Sequence, residues 1–135
     1  MNYWLVKSDP DTYGWKELMQ DKSTAWTGVK SHPAKLNLQA MKKGDLVLFY
    51  HSQEEKSVVG ISKVVKEFYP DPTVAKDEPW VAVDLAPVKQ LKKPVTLAQI
   101  KADKRLLQTY LVRQARLSVM PLRKEEYDAM LELSE

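Results

Sequence analysis

Residues 46–50 read Leu-Val-Leu-Phe-Tyr, an apolar run without alternation, set between Lys42-Lys43-Gly44-Asp45 and His51-Ser52. The span Asp45 to His51 reads as a strand that is apolar on both faces. Such a strand belongs in the middle of a sheet, covered on each side. The rest of the chain must therefore supply neighbouring strands and two covering layers.

Further strands are expected at Tyr3 to Val6, Ser57 to Tyr69, Trp80 to Val88 and Leu111 to Val119. The first breaks at Lys7-Ser8-Asp9-Pro10, where Pro10 biases Asp9 toward extended backbone. Gly60 inside the second signals a bulge or the close approach of another group. Tyr69-Pro70-Asp71-Pro72 reads as a turn. In Trp80 to Val88, Val81, Val83 and Leu85 alternate with Ala82, Asp84 and Ala86.

Short helices are expected between these strands. One spans Gly14 to Gln20, with Gly14 as N-cap and Glu17 three positions on. A second runs from Pro33 to Met41, with Gly44 suited to a left-handed position just past its end. A third covers Thr96 to Lys101 and opens on a Thr cap. The last covers Arg123 to Leu133, with Tyr127, Met130 and Leu131 as its buried stripe. Short strands interrupted by short helices make an α+β domain built on a strongly bent sheet or small barrel, not a strictly alternating parallel fold.

At 135 residues the chain fits one domain, 1–135. It contains no Cys and two His, His32 and His51. That composition excludes disulfide frameworks, Cys-ligated metals and thiol nucleophiles, and argues against any metal centre. No cofactor is expected. No apolar run reaches the roughly 18–20 residues of a membrane span, and no signal-peptide pattern follows Met1, so the expected setting is cytoplasmic. The formal charge of +3 permits a polyanionic partner without requiring one.

No phosphate-cradling loop, dinucleotide fingerprint or hydrolase motif is present. His51-Ser52 resembles a base and nucleophile, but adjacent strand residues point to opposite faces, which is poor geometry for proton transfer. The expectation is a protein that is not an enzyme. An enzyme acting on nucleotides through His51, and a small-molecule or interaction module, are the alternatives.

Binding has better support. Residues 23–31 read as a loop, and Trp26 lies in it, flanked by Ser, Thr and Gly, just before Gly28-Val29-Lys30-Ser31. A flat π-face beside hydroxyls and a cation is what stacking on a nucleobase needs. Core packing is the competing role for the same side chain.

Four segments, covering nearly the whole chain, resemble the EVE domain family of the PUA-like superfamily, which also includes YTH and ASCH domains. They are YWLVKSDPDTYGWKEL at 3–18, WTGVKSHPAKLNLQAMKKGDLVLFYHS at 26–52, VVGISKVVKEFYPDPT at 58–73 and RLSVMPLRKEEYDAML at 116–131. The resemblance implies a PUA-like, mixed or antiparallel β-barrel flanked by short helices. It also implies a pocket for a modified or unpaired base, in DNA or RNA. Carried onto matching positions, it implies a base site of Lys7, Ser8, Trp26, Gly28, Val29, Lys30, Ser31, Tyr50, His51, Ser52 and Tyr69. Phosphate contacts are expected from Lys30, Lys35, Arg113 and Arg116.

The chain departs from the family pattern at Lys30-Ser31, where Arg-Asn is usual, and at Pro33-Ala34-Lys35-Leu36, where Gln-Ala-Arg-Asn is usual. Lys30 keeps the charge but lacks a planar bidentate fork. Arg123 stands where a capping Thr is frequent.

Overall fold

A computed structural model describes residues 1–135. Six strands form one mixed sheet: β1 (Tyr3–Ser8), β2 (Thr24–Trp26), β3 (Leu46–His51), β4 (Ser57–Pro70), β5 (Val81–Thr96) and β6 (Val119–Leu122). Their order across the sheet is β2-β5-β4-β3-β1-β6. β1 runs parallel to β3, and the other pairs are antiparallel.

The α+β class and the bent sheet are as expected. The barrel is not closed, because β2 and β6 end the hydrogen-bonded order as edges. β3 is internal, and Val47, Leu48, Phe49 and Tyr50 are all buried, as a run apolar on both faces requires.

The bend comes from β4 and β5. Their register shifts four times along the ladder, and each shift strengthens the local twist. One shift sits at Ser62, opposite Pro87; a residue without an N–H is tolerated beside such an irregularity. β5 therefore continues through Pro87 and Pro94 to Thr96, well past the expected end at Val88.

The helices are α1 (Trp15–Asp21), α2 (His32–Ala40), α3 (Leu97–Lys101), α4 (Tyr110–Arg113) and α5 (Lys124–Leu133), with a 3-10 turn at Lys104–Leu106. Gly14 precedes α1, and its N–H donates to Glu17 Oε1 at 3.0 Å. Ser31 caps α2, accepting from the Ala34 N–H at 3.4 Å. Thr96 caps α3. Arg123 precedes α5 without a capping hydroxyl, and the Glu126 carboxylate accepts its N–H at 2.8 Å. Tyr127 and Met130 of α5 are buried, whereas Leu131 is only partly so. No helix is long and apolar enough to cross a membrane.

Two local expectations are corrected. Leu111 to Val119 is not a strand. Tyr110–Arg113 is helical, and the Thr109 carbonyl accepts the N–H groups of Val112 and Arg113, so the ladder begins only at Val119. Gly44 does not terminate α2 either. Met41 is already extended, and Gly44 (φ +94°) turns the chain into β3 beside buried Asp45. That carboxylate accepts from Asn2 N–H, Lys42 N–H and the Trp4 indole at 3.0–3.1 Å, pinning the start of β1 to the start of β3.

Candidate nucleic-acid interface

A cavity of about 490 Å³ opens where the C-terminal end of β1 meets β2. Lys7 and Ser8 approach from β1, and Thr12 and Tyr13 from the segment leading into α1. Trp26 comes from β2, Gly28 to Lys30 from the loop after it, and Ser118 from the approach to β6.

Trp26 is only 9% exposed. It lies in β2, not in a loop, and packs edge-on against Phe49 (5.5 Å between ring centroids) and Tyr13 (6.4 Å). The two roles open in the sequence are thus combined: most of the indole is core, and what stays accessible lines the cavity. Such a ring is held rigidly, so little side-chain freedom is lost when a flat ligand stacks on it.

The loop after Trp26 is fixed by a residue from across the sheet. Gly28 has φ +79°, a left-handed conformation suited to glycine, and its N–H donates to Asp71 Oδ2 at 2.9 Å. Asp71 is 4% exposed, and its other oxygen accepts from Thr73 N–H (2.8 Å) and Thr73 Oγ1 (2.6 Å). Burial alone would push this carboxyl up. The hydrogen bonds from Thr73 and Gly28, with the Lys30 charge, outweigh it and hold the group below the usual carboxylate range.

The polar groups are hydroxyls, lysines and one carboxylate, Asp9, whose Oδ1 accepts the Asp11 N–H at 2.9 Å. Ser8 Oγ donates to the Tyr13 carbonyl, so its lone pairs remain available as acceptors. Lys7 Nζ donates to the Ala115 carbonyl at 2.6 Å and lies over the Tyr50 ring; burial lowers its pKa. Lys30 is exposed at the rim.

Lys7, Ser8, Trp26, Gly28, Val29 and Lys30 thus lie together around the cavity. Five other expected base-site residues do not line it. Ser31 is turned to capping α2. Tyr50 is buried beneath Lys7. His51 is held behind the cavity, where Nε2 accepts the Trp15 N–H at 3.0 Å and Nδ1 meets Glu55 at 2.7 Å. Ser52 bonds back to the Ser8 carbonyl through both its N–H and its hydroxyl. Tyr69 is tied to Asp84, and burial with that carboxylate pushes its phenol up to about 12.

Of the expected phosphate contacts, Lys30 is at the rim and Arg116 is exposed in the loop before β6. Lys35 is on α2, and Arg113 lines a separate groove. Seven further residues line the cavity that were not expected there: Asp9, Thr12, Tyr13, Thr24, Ala25, Thr27 and Ser118. Tyr13 sits beside the Trp-containing helix of the opening motif, a usable signal; Ser118 was hidden by the strand misplaced over it.

Comparison with known proteins shows the family. Residues 2–133 match the EVE domain. The chain belongs to the EVE domain family. It is similar to mouse thymocyte nuclear protein 1, with 35% identity covering 99% of this chain and 74% of the relative. A solved structure from Agrobacterium tumefaciens is 39% identical, with a TM-score of 0.96 covering 99% of this chain and 93% of that one. The human THYN1 protein, solved in complex with DNA containing 5-methylcytosine, is 33% identical, with a TM-score of 0.92 covering 100% and 98%. This EVE domain presents the family fold along essentially its full described length.

Proposed function

We propose that this EVE domain binds a nucleic-acid strand carrying a modified base and seats that base in the cavity against Trp26. The observation that carries the reading is the convergence of a rigid indole, several hydroxyls and two lysines on one concavity. Its volume of about 490 Å³ falls within the range of roughly 300–1,000 Å³ common to small-ligand sites. The human relative's complex with 5-methylcytosine-containing DNA supports DNA, and a methylated cytosine, as the first probe.

In this mechanism the base leaves its stack and enters the cavity edge-first. Extrusion costs a few kcal/mol, and least for a base already unpaired. Stacking on Trp26 returns about 1–3 kcal/mol. Ser8 accepts from an exocyclic amine, and Lys30 at the rim meets the flanking phosphate. Binding is the activity proposed, without turnover. His51 gives no support to a general-base role at this cavity, because both its ring nitrogens are engaged elsewhere.

The test is a titration of oligonucleotides, with and without one 5-methylcytosine, against the wild type and two Trp26 variants. Trp26→Ala should weaken binding about 10- to 100-fold, and Trp26→Phe, which keeps an aromatic filler against Phe49, by less. Melting curves establish that each variant is folded. Wild-type affinity in both variants, or no binding of any oligonucleotide at low salt, overturns the reading.

A further inference from the structure

A second groove, of about 350 Å³, lies at the other end of β6. Its lining includes Gln108, Tyr110, Arg113, Pro121 and Arg123. We propose that this groove is a second nucleotide subsite, which stacks an unpaired base several positions along the strand from the one in the cavity. The proposal rests on the reading above and extends it.

Three observations support it. First, Tyr110 is 41% exposed inside a concavity lined by Arg113, Arg123 and Glu126. Arg123 is paired to the Glu126 carboxylate at 3.4 Å, so the stacking face is joined by one cation, Arg113, for phosphate. Arg113 pairs with no carboxylate; its guanidinium donates to the Gln108 side-chain oxygen at 3.2 Å, which orients it without neutralising it.

Second, one stretch of chain joins the two sites. Arg113 lines the groove, Ser118 lines the cavity, and exposed Arg116 lies between them. Lys7 of the cavity fastens that stretch through the Ala115 carbonyl. Positive groups thus run from Lys30 and Lys7 through Arg116 to Arg113, beyond which Arg123 is paired to Glu126.

Third, the spacing suits a strand. Ser118 to Leu122 is four residues of extended chain, about 13 Å at roughly 3.3 Å per residue. That equals about four stacked nucleotide steps at ~3.4 Å each. β6 is an edge strand, and Pro121 within it offers no N–H to a further β-strand.

The experiment uses single strands of three to nine nucleotides carrying one 5-methylcytosine, extended to either side of it, titrated into the full chain. Affinity should rise about tenfold once the strand passes about four nucleotides on one side, and not on the other. Tyr110→Ala and Arg113→Gln should each lose that gain while binding the trimer as the wild type does. Arg113→Gln should also reduce the salt slope by about 0.7. A wild type without the length-dependent gain, or a gain kept in both variants, overturns the subsite. Loss of trimer binding, or trimer binding indifferent to Trp26, instead marks failure of the cavity reading, and the subsite falls with it.

Discussion

Gly60→Ala should lower stability by about 2–3 kcal/mol, and the melting temperature by roughly 10 °C. The reason is a collision with no room for escape. A Cβ on Gly60 would lie 2.5–2.6 Å from three carbons of the Trp15 ring. That ring is buried and packs edge-on against Phe49 at 5.6 Å, so it cannot move aside without disturbing the core. Trp15→Leu in the Gly60→Ala background should recover part of the loss, because the two residues occupy the same space and their effects are not additive. Thermal melts of the two single variants and the double variant measure this. A Gly60→Ala protein that melts with the wild type would contradict the packing described.

Asp71→Asn should have the largest effect on the cavity without touching its contents. Both carboxylate oxygens face donors: Gly28 N–H on one, Thr73 N–H and Oγ1 on the other. An amide of the same shape sets one N–H group against another donor. The cost is about 1.5–3 kcal/mol, the worth of hydrogen bonds to a charged group. Whichever way the amide turns, the Gly28 N–H loses a charged acceptor, the loop carrying Val29 and Lys30 is held less firmly, and oligonucleotide affinity should fall about tenfold.

The pH dependence has a definite sign. The folded carboxyl is held below its ordinary value, so its stabilisation is fully present above the unfolded pKa of about 3.9 and is lost as pH falls through the lower folded value. The melting-temperature gap between wild type and Asp71→Asn should therefore be widest near neutrality and close in acid below about pH 4. A gap independent of pH would show that Asp71 does not hold the loop through its charge.

Much of this architecture was legible in the amino-acid order. The apolar run of β3, the cap residues of α1 and α3, and the tight approach at Gly60 were each visible as local patterns, and local physics decides them. The alternation from Val81 to Ala86 gave no sign that β5 runs on to Thr96, because only the irregular pairing with β4 makes room for Pro87 and Pro94 within the strand. The stretch 111–119 was misread because a short alternating pattern outweighed the turn chemistry of Thr109.

The site was legible to the same degree and for the same reason. Lys7, Ser8 and the Trp26–Lys30 segment are contiguous stretches that carry the family pattern, and they do meet at the cavity. Tyr50, His51 and Ser52 carry it equally well but serve the frame behind it. Nothing in their order distinguishes a ring that faces a ligand from one that accepts the Trp15 N–H. Asp71 shows the opposite case: 43 residues from Gly28 in sequence, it becomes a loop anchor only when β4 brings it there.

The central claim is that a modified base occupies the cavity against Trp26. The four tryptophans, Trp4, Trp15, Trp26 and Trp80, give four indole N–H signals placed at different points of the fold. A nuclear magnetic resonance titration of the unaltered protein with a single strand carrying one 5-methylcytosine tests it most directly. The Trp26 indole and the Ser8, Thr24 and Gly28 amides should shift together, more strongly than with the unmodified strand, while the Trp4 indole, bonded to Asp45, stays in place. Shifts confined to residues outside the cavity, with the Trp26 indole unmoved at saturation, would contradict it.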